Sequence, residues 1–212
     1  MARLTENLDL IADRIRAGFA AKDAAREKIL PLCREVIRYS SNAIRALHRQ
    51  EMDQAAEMLK SARKLLDDAD RALSEGGETM RTGFIIDSQK EYAEGSITLA
   101  LVTGKHPPTP EELRVEPVAY LHGIGEAVGE LRRYLLDGLR KGDTSRGEEL
   151  LSAMDDIYNI LVTIDYPDAI TGGLRRTTDM VRGVLERTRS DLTLTIRQKE
   201  LEDRLKKSTG GK

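Results

Sequence analysis

Residues 4–47 read LTENLDLIADRIRAGFAAKDAAREKILPLCREVIRYSSNAIRAL, and this stretch decides the fold class. Leu8, Ile11, Ile15, Phe19, Ile29, Leu32, Val36, Ile37, Ile44 and Leu47 recur mostly at three- and four-residue steps, the spacing of one face of an α-helix. The pattern predicts one very long helix. Pro31 lacks a backbone donor and is expected to kink or split it near Lys28 to Leu30.

Further along, Met52 to about Leu73 repeats the helical spacing and should stop at Gly76-Gly77. A third helix is expected from about Met80 to Val102. The run from Lys105 to Pro110 holds three prolines and predicts a connecting loop of about a dozen residues before Pro117. Proline suits a first helical position, so Pro117 to about Arg140 reads as the fourth helix. Ser145 and Glu148 have the spacing of a capping box for a fifth helix reaching about Ile164, ended by Tyr166-Pro167-Asp168. The last begins near Thr171-Gly172-Gly173 and runs towards Leu205. The expectation is an all-α, single-domain bundle of about six to seven helices over residues 1–207, with a disordered tail at 208–212.

Composition agrees. Charged residues make up 33% of the 212 residues, enough to give every apolar stripe a solvated opposite face, while aromatics are only 4% and Trp is absent, which excludes an all-β fold. No uncharged apolar run approaches the roughly 18 to 20 residues of a membrane span, so no membrane association is expected. The N-terminal segment, with acids inside its apolar pattern, does not read as a signal peptide. Cys33 is the single cysteine, which leaves no intrachain disulfide and fits a reducing, cytoplasmic location. The net charge is −2, so binding to polyanions would need a local basic surface.

No phosphate-binding glycine loop, dinucleotide fingerprint, nucleophile elbow or His-Glu-x-x-His motif is present. None of the three histidines forms the Glu-x-x-His pair of a di-iron bundle. Carboxylates remain. Glu91 and Glu94 lie about 60° apart around the third helix, and Glu126 and Glu130 about 40° apart around the fourth. If those helices pack together, four carboxylates converge and repel one another unless they hold a cation, for which Mg²⁺ or Mn²⁺ is the natural match to oxygen ligands. The plain alternative is solvated surface. Against it, residues 97–102 are too apolar for an exposed helix, and Gly123, Gly125 and Gly129 beside the second pair suggest close approach of another backbone. His122 could extend the same stripe as a ligand or proton acceptor, or serve only packing. Asp87 could support the rim or simply pair with Lys90.

From Thr171 onward there are eleven bases against six acids. Arg175 and Arg176 stand at a helix start, where backbone N–H groups add to the guanidinium groups as phosphate donors. Arg132 and Arg133 follow Glu130, and Arg81 and Lys90 flank the first acid pair. Cations beside a carboxylate–metal centre suit a phosphodiester substrate, although an ordinary solvated helix with ion pairs would look similar. With few aromatics for stacking, contacts should be mainly to phosphate and weakly sequence-selective.

Three blocks carry a resemblance. They are Glu91-Tyr92-Ala93-Glu94, then Pro117-Val118-Ala119-Tyr120-Leu121-His122-Gly123 continuing to Gly129-Glu130-Leu131-Arg132, and Tyr166 through Arg176. Over most of its length the chain resembles the translin and Trax family, specifically its archaeal members. The resemblance implies an all-α subunit of a hollow homo-oligomer, typically an octamer, that binds single-stranded RNA or DNA. Translin subunits mainly bind. Trax-like subunits cut RNA with acids at a divalent metal on the inner wall, and Glu91, Glu94, Glu126 and Glu130 fill the places of those catalytic and metal-binding acids. Glu126 stands where eukaryotic Trax has Asp, and His122 replaces an apolar residue. The leading expectation is a metal-dependent endoribonuclease acting on single strands. Its rivals are a translin-like binding shell without catalysis and a helical scaffold with no nucleic-acid role.

Overall fold

A computed structural model describes residues 5, 7–75 and 83–209. Among them are eight helices and no strand: α1 (Leu8–His48), α2 (Met52–Glu75), α3 (Gly83–Val102), α4 (Pro110–Leu113), α5 (Pro117–Arg140), α6 (Gly147–Thr163), α7 (Asp168–Thr171) and α8 (Leu174–Thr209). No described helix is long and apolar enough to cross a membrane.

Helices α1 and α2 form an antiparallel hairpin, and α1 packs in turn on α3. The pair α3–α5 lies at the centre, and α6 and α8 close the other side of α5. Ile97 of α3, Val128 and Leu131 of α5, Met154 and Leu161 of α6 and Val181 and Leu192 of α8 share one core. A smaller cluster joins Ile29 and Cys33 of α1 to Ala69 of α2 and Ile85 of α3.

Pro31 does not split α1, which runs unbroken for 41 residues, about 60 Å. Ile29 and Cys33 are fully buried on either side of the proline, so packing compensates for the one missing backbone bond. The first half of α1 departs from expectation in another way. Leu8, Ile11, Ile15 and Phe19 belong to the apolar repeat that predicted the helix, yet they are exposed, Phe19 by 66%, and the first buried residue is Ala25. This half of the helix runs past the rest of the bundle.

The capping box falls elsewhere. Arg146, not Ser145, precedes α6, and no side chain caps that helix. Ser145 instead donates its N–H to Asp143 Oδ1 at 2.9 Å. The box is at α4, where Glu112 N donates to Thr109 Oγ1 at 3.2 Å and Thr109 N to Glu112 Oε2 at 2.8 Å, so the proline-rich connection contains a helical turn. A second short helix, α7, occupies part of the expected break after Tyr166. Ser208 and Thr209, expected in a disordered tail, belong to α8. Residues 210–212, Gly76-Gly77 and the predicted start of the third helix at Met80 lie outside the described residues.

Candidate functional site

Each acid pair shares a helix face, and backbone proximity brings the faces together. A Cβ built on Gly123 would stand 2.8 Å from the Lys90 carbonyl oxygen and 3.0 Å from Glu94 N, so α5 reaches the backbone of α3 at the level of the acids only because this residue lacks a side chain. Gly125 makes the corresponding approach to α8 and α6, at Thr177, Val181 and Leu161. Gly129 was read the same way, but a Cβ there would meet open space.

Glu91, Glu94 and Glu126 converge, each offering a carboxylate oxygen within 4.8 Å of the others. Glu94 is the inward member. It is 8% exposed. Burial first, then the charges of Glu91, Glu126 and Glu130, push its pKa from 4.5 up to about 8, with Lys90 opposing. Glu94 therefore keeps its proton near neutral pH.

The fourth acid is held apart from this trio. Glu130 is hydrogen-bonded to Nε2 of His48, whose side chain is 6% exposed at the end of α1, and its second neighbour is Arg133 Nη1 at 3.8 Å. His48 Nδ1 is buried without a partner. His48 was not singled out from the sequence, since its partner lies 82 positions away.

Lys90 enters the trio itself. Its Nζ is 2.9 Å from Glu126 Oε1 and 3.4 Å from Glu91 Oε1, so it turns to these acids rather than to Asp87. Burial disfavours its charge, but the hydrogen bond and charge of Glu126, supported by Glu91, outweigh that and hold its pKa above the ordinary lysine value. Lys90, Glu126, Asp87, His122 and Gly172 line a pocket of about 230 Å³ beside the trio.

His122 is a strut. Its Nε2 donates to the Thr171 carbonyl at 2.9 Å, which leaves Nδ1 to accept from Thr177 Oγ1 at 2.8 Å. With both nitrogens engaged it is neither a ligand nor a free proton acceptor, and it ties α5 to the α7–α8 turn. Gly172 and Gly173 have φ of 64° and 85° in that turn, a region that favours glycine.

The basic residues divide. Arg132 donates to Asp191 at 2.7 Å and to Thr188 at 3.1 Å, joining α5 to α8. Arg133 and Arg176 are exposed, and Arg175 is 81% exposed with Asp165 at 3.8 Å. Arg81 lies outside the described residues. Much of the excess basic charge of α8 is locally paired, as in Arg189–Asp155 at 3.1 Å and Arg182–Asp179 at 3.6 Å.

A half-buried carboxylate trio between two central helices defines an all-helical protein with a cation-attracting centre. No protein-family model matches the chain. A curated relative, an uncharacterized protein of Methanocaldococcus jannaschii, is 29% identical over 194 residues, 89% of this chain and 84% of that one. Among solved structures, AfC3PO in complex with duplex RNA superposes with a TM-score of 0.81 at 33% identity, covering 88% of this chain and 97% of that one. AfC3PO alone gives 0.79, again at 33% identity. Apo-NeC3PO shares the fold, with a TM-score of 0.75 at 20% identity over 92% of this chain and all of that one. The chain belongs to the translin/Trax family.

Proposed function

We propose that this protein binds RNA and cleaves it with the help of a divalent cation, Mg²⁺ or Mn²⁺, held by Glu91, Glu94 and Glu126. The observation that carries the reading is the trio itself, three carboxylates within 4.8 Å, one of them on a residue only 8% exposed. A bare set of this kind repels itself, and an all-oxygen donor set fits a hard divalent ion. Such an ion, when bound, polarises a phosphoryl oxygen and makes a coordinated water more acidic. Glu94, which holds a proton near neutrality in the ion-free protein, gives that proton up to serve as a ligand, so ion binding is coupled to proton release. Glu130, fixed by His48, adds negative charge at the edge.

Arg133, Arg175 and Arg176 are the exposed cations assigned to phosphate contact, with Arg81 kept from the sequence reading, whereas Arg132 is committed to Asp191. Single-stranded RNA or DNA is the expected ligand, and the duplex RNA bound to AfC3PO makes duplex RNA the second substrate to try. The exposed apolar stripe Leu8, Ile11, Ile15 and Phe19 supports a homo-oligomer, for which the family suggests an octamer.

The test is cleavage of labelled single-stranded and duplex RNA with Mg²⁺ or Mn²⁺ by wild type, Glu91→Ala and Glu126→Ala. Loss of cleavage with retained RNA binding supports the assignment; full activity in both variants removes it. A second reading, a binding shell without catalysis, is favoured by Lys90, which already neutralises part of the trio. Salt-dependent shifts of oligonucleotides that stay intact with every divalent ion would select it.

A further inference from the structure

We propose that Lys90 is a tethered competitor for the cation site, lying against Glu126 and Glu91 when no ion is bound and swinging away when a divalent ion arrives. This rests on the reading of the trio as an ion site. Three observations carry it. The ammonium is 2.9 Å from Glu126 and 3.4 Å from Glu91, two of the three carboxylates that converge. It comes from the residue next to Glu91 on the same helix, so it cannot diffuse away. And a pocket of about 230 Å³ opens beside it, with Asp87 on its wall as an alternative partner.

An ammonium and a hard divalent ion cannot both sit against the same carboxylate oxygens without strong repulsion, so the ion must displace the lysine. Lys90 would then set a threshold on metal affinity, and the released ammonium would stand in the pocket beside Glu126, able to meet a phosphate. A purely structural Lys90–Glu126 bridge makes the opposite prediction, because breaking it would loosen the trio and weaken the ion.

The experiment measures Mn²⁺ binding by the EPR signal of free Mn²⁺ for the intact chain and for Lys90→Met and Lys90→Gln. Tightening of about tenfold in both variants is expected. Unchanged or weaker binding overturns the competitor role while leaving the ion site standing. Absence of Mn²⁺ binding in wild type and variants alike overturns the ion site together with it. Wild-type protein supplies a check that needs no variant to fold: acylation of Lys90 by an N-hydroxysuccinimide ester, followed by mass spectrometry, should be slow without metal and several-fold faster with saturating Mg²⁺. A rate unchanged by Mg²⁺, in protein shown to bind Mn²⁺, refutes the swing.

Discussion

Glu94→Gln should stabilise the metal-free protein, and by an amount that depends on pH. A carboxyl with a pKa of 4.5 when unfolded and about 8 when folded binds a proton more tightly in the native state. Between those values the native state holds the proton and the unfolded state does not, so stability falls as pH rises from about 4.5 to about 8, and is flat on either side. At roughly 1.4 kcal/mol per tenfold change, the full loss is about 5 kcal/mol, of which about 3 kcal/mol is already incurred at pH 7. Glutamine has no charge to bury and removes this dependence. Urea unfolding with EDTA at pH 5, 6, 7 and 8, at one protein concentration, should show wild type losing stability steadily relative to Glu94→Gln, from a loss of about 1 kcal/mol at pH 5. Parallel pH profiles would refute the reasoning, because they would mean that Glu94 is ionised in the native protein at no cost.

The remaining predictions probe the supports of the same centre. Chelation by EDTA should lower the thermal midpoint of metal-loaded wild type more at pH 8 than at pH 6, since the Glu94 proton opposes the ion below about 8. His48→Ala leaves the half-buried Glu130 without its imidazole and should cost about 1–3 kcal/mol in urea unfolding, part of which His48→Gln recovers. Gly123→Ala forces α5 off α3, where a Cβ would lie 2.8 Å from Ala93 Cβ and the Lys90 carbonyl, and should cost about 1–3 kcal/mol and weaken Mn²⁺ binding. Gly129→Ala, with open space around it, should instead raise the melting temperature through helix propensity worth about 1 kcal/mol. Cys33 is 1% exposed and burial, the largest cause, pushes its thiol pKa up, so it should react with a thiol reagent only on unfolding.

What was legible in the sequence follows from which signals are local. The helices were readable because a three-to-four-residue apolar repeat is set by the geometry of one helix. The same repeat does not say whether the covering partner belongs to the chain, and so Leu8 to Phe19 read identically to Ile29 to Leu47 although only the latter are packed within it. Capping-box spacing at Ser145 marks an expected helix start, but the box forms at Thr109, which has the same spacing to Glu112. Thr109 has the extended backbone a cap requires, φ −75° and ψ 163°, whereas the residue before α6 is Arg146 at φ −106° and ψ 8°, with its guanidinium drawn to Glu149 and to the last carbonyls of α3. In the site, Gly123 was a usable sign of close approach. Nothing local linked Glu130 to His48, or told that Lys90 would lean on Glu126 across the interface and not on Asp87 along its own helix.

Those two unforeseen contacts bear on what the centre is for. A link whose only purpose was to hold α3 against α5 would be served by one lysine and one glutamate, with apolar neighbours, since burying further acids costs stability. Here three acids converge and a fourth acts on them from the edge, and three separate devices limit the repulsion: a proton on Glu94, the Lys90 ammonium on Glu126, and His48 on Glu130. Two of the three occupy the trio itself, and both are monovalent and exchangeable, one to solvent and one to the adjoining pocket. The repulsion that makes the metal-free state costly is then the same quantity that favours a divalent ion. If the trio holds an ion as proposed, it gains that affinity at the expense of resting stability, which is why Glu94→Gln is expected to improve the fold and abolish the site together.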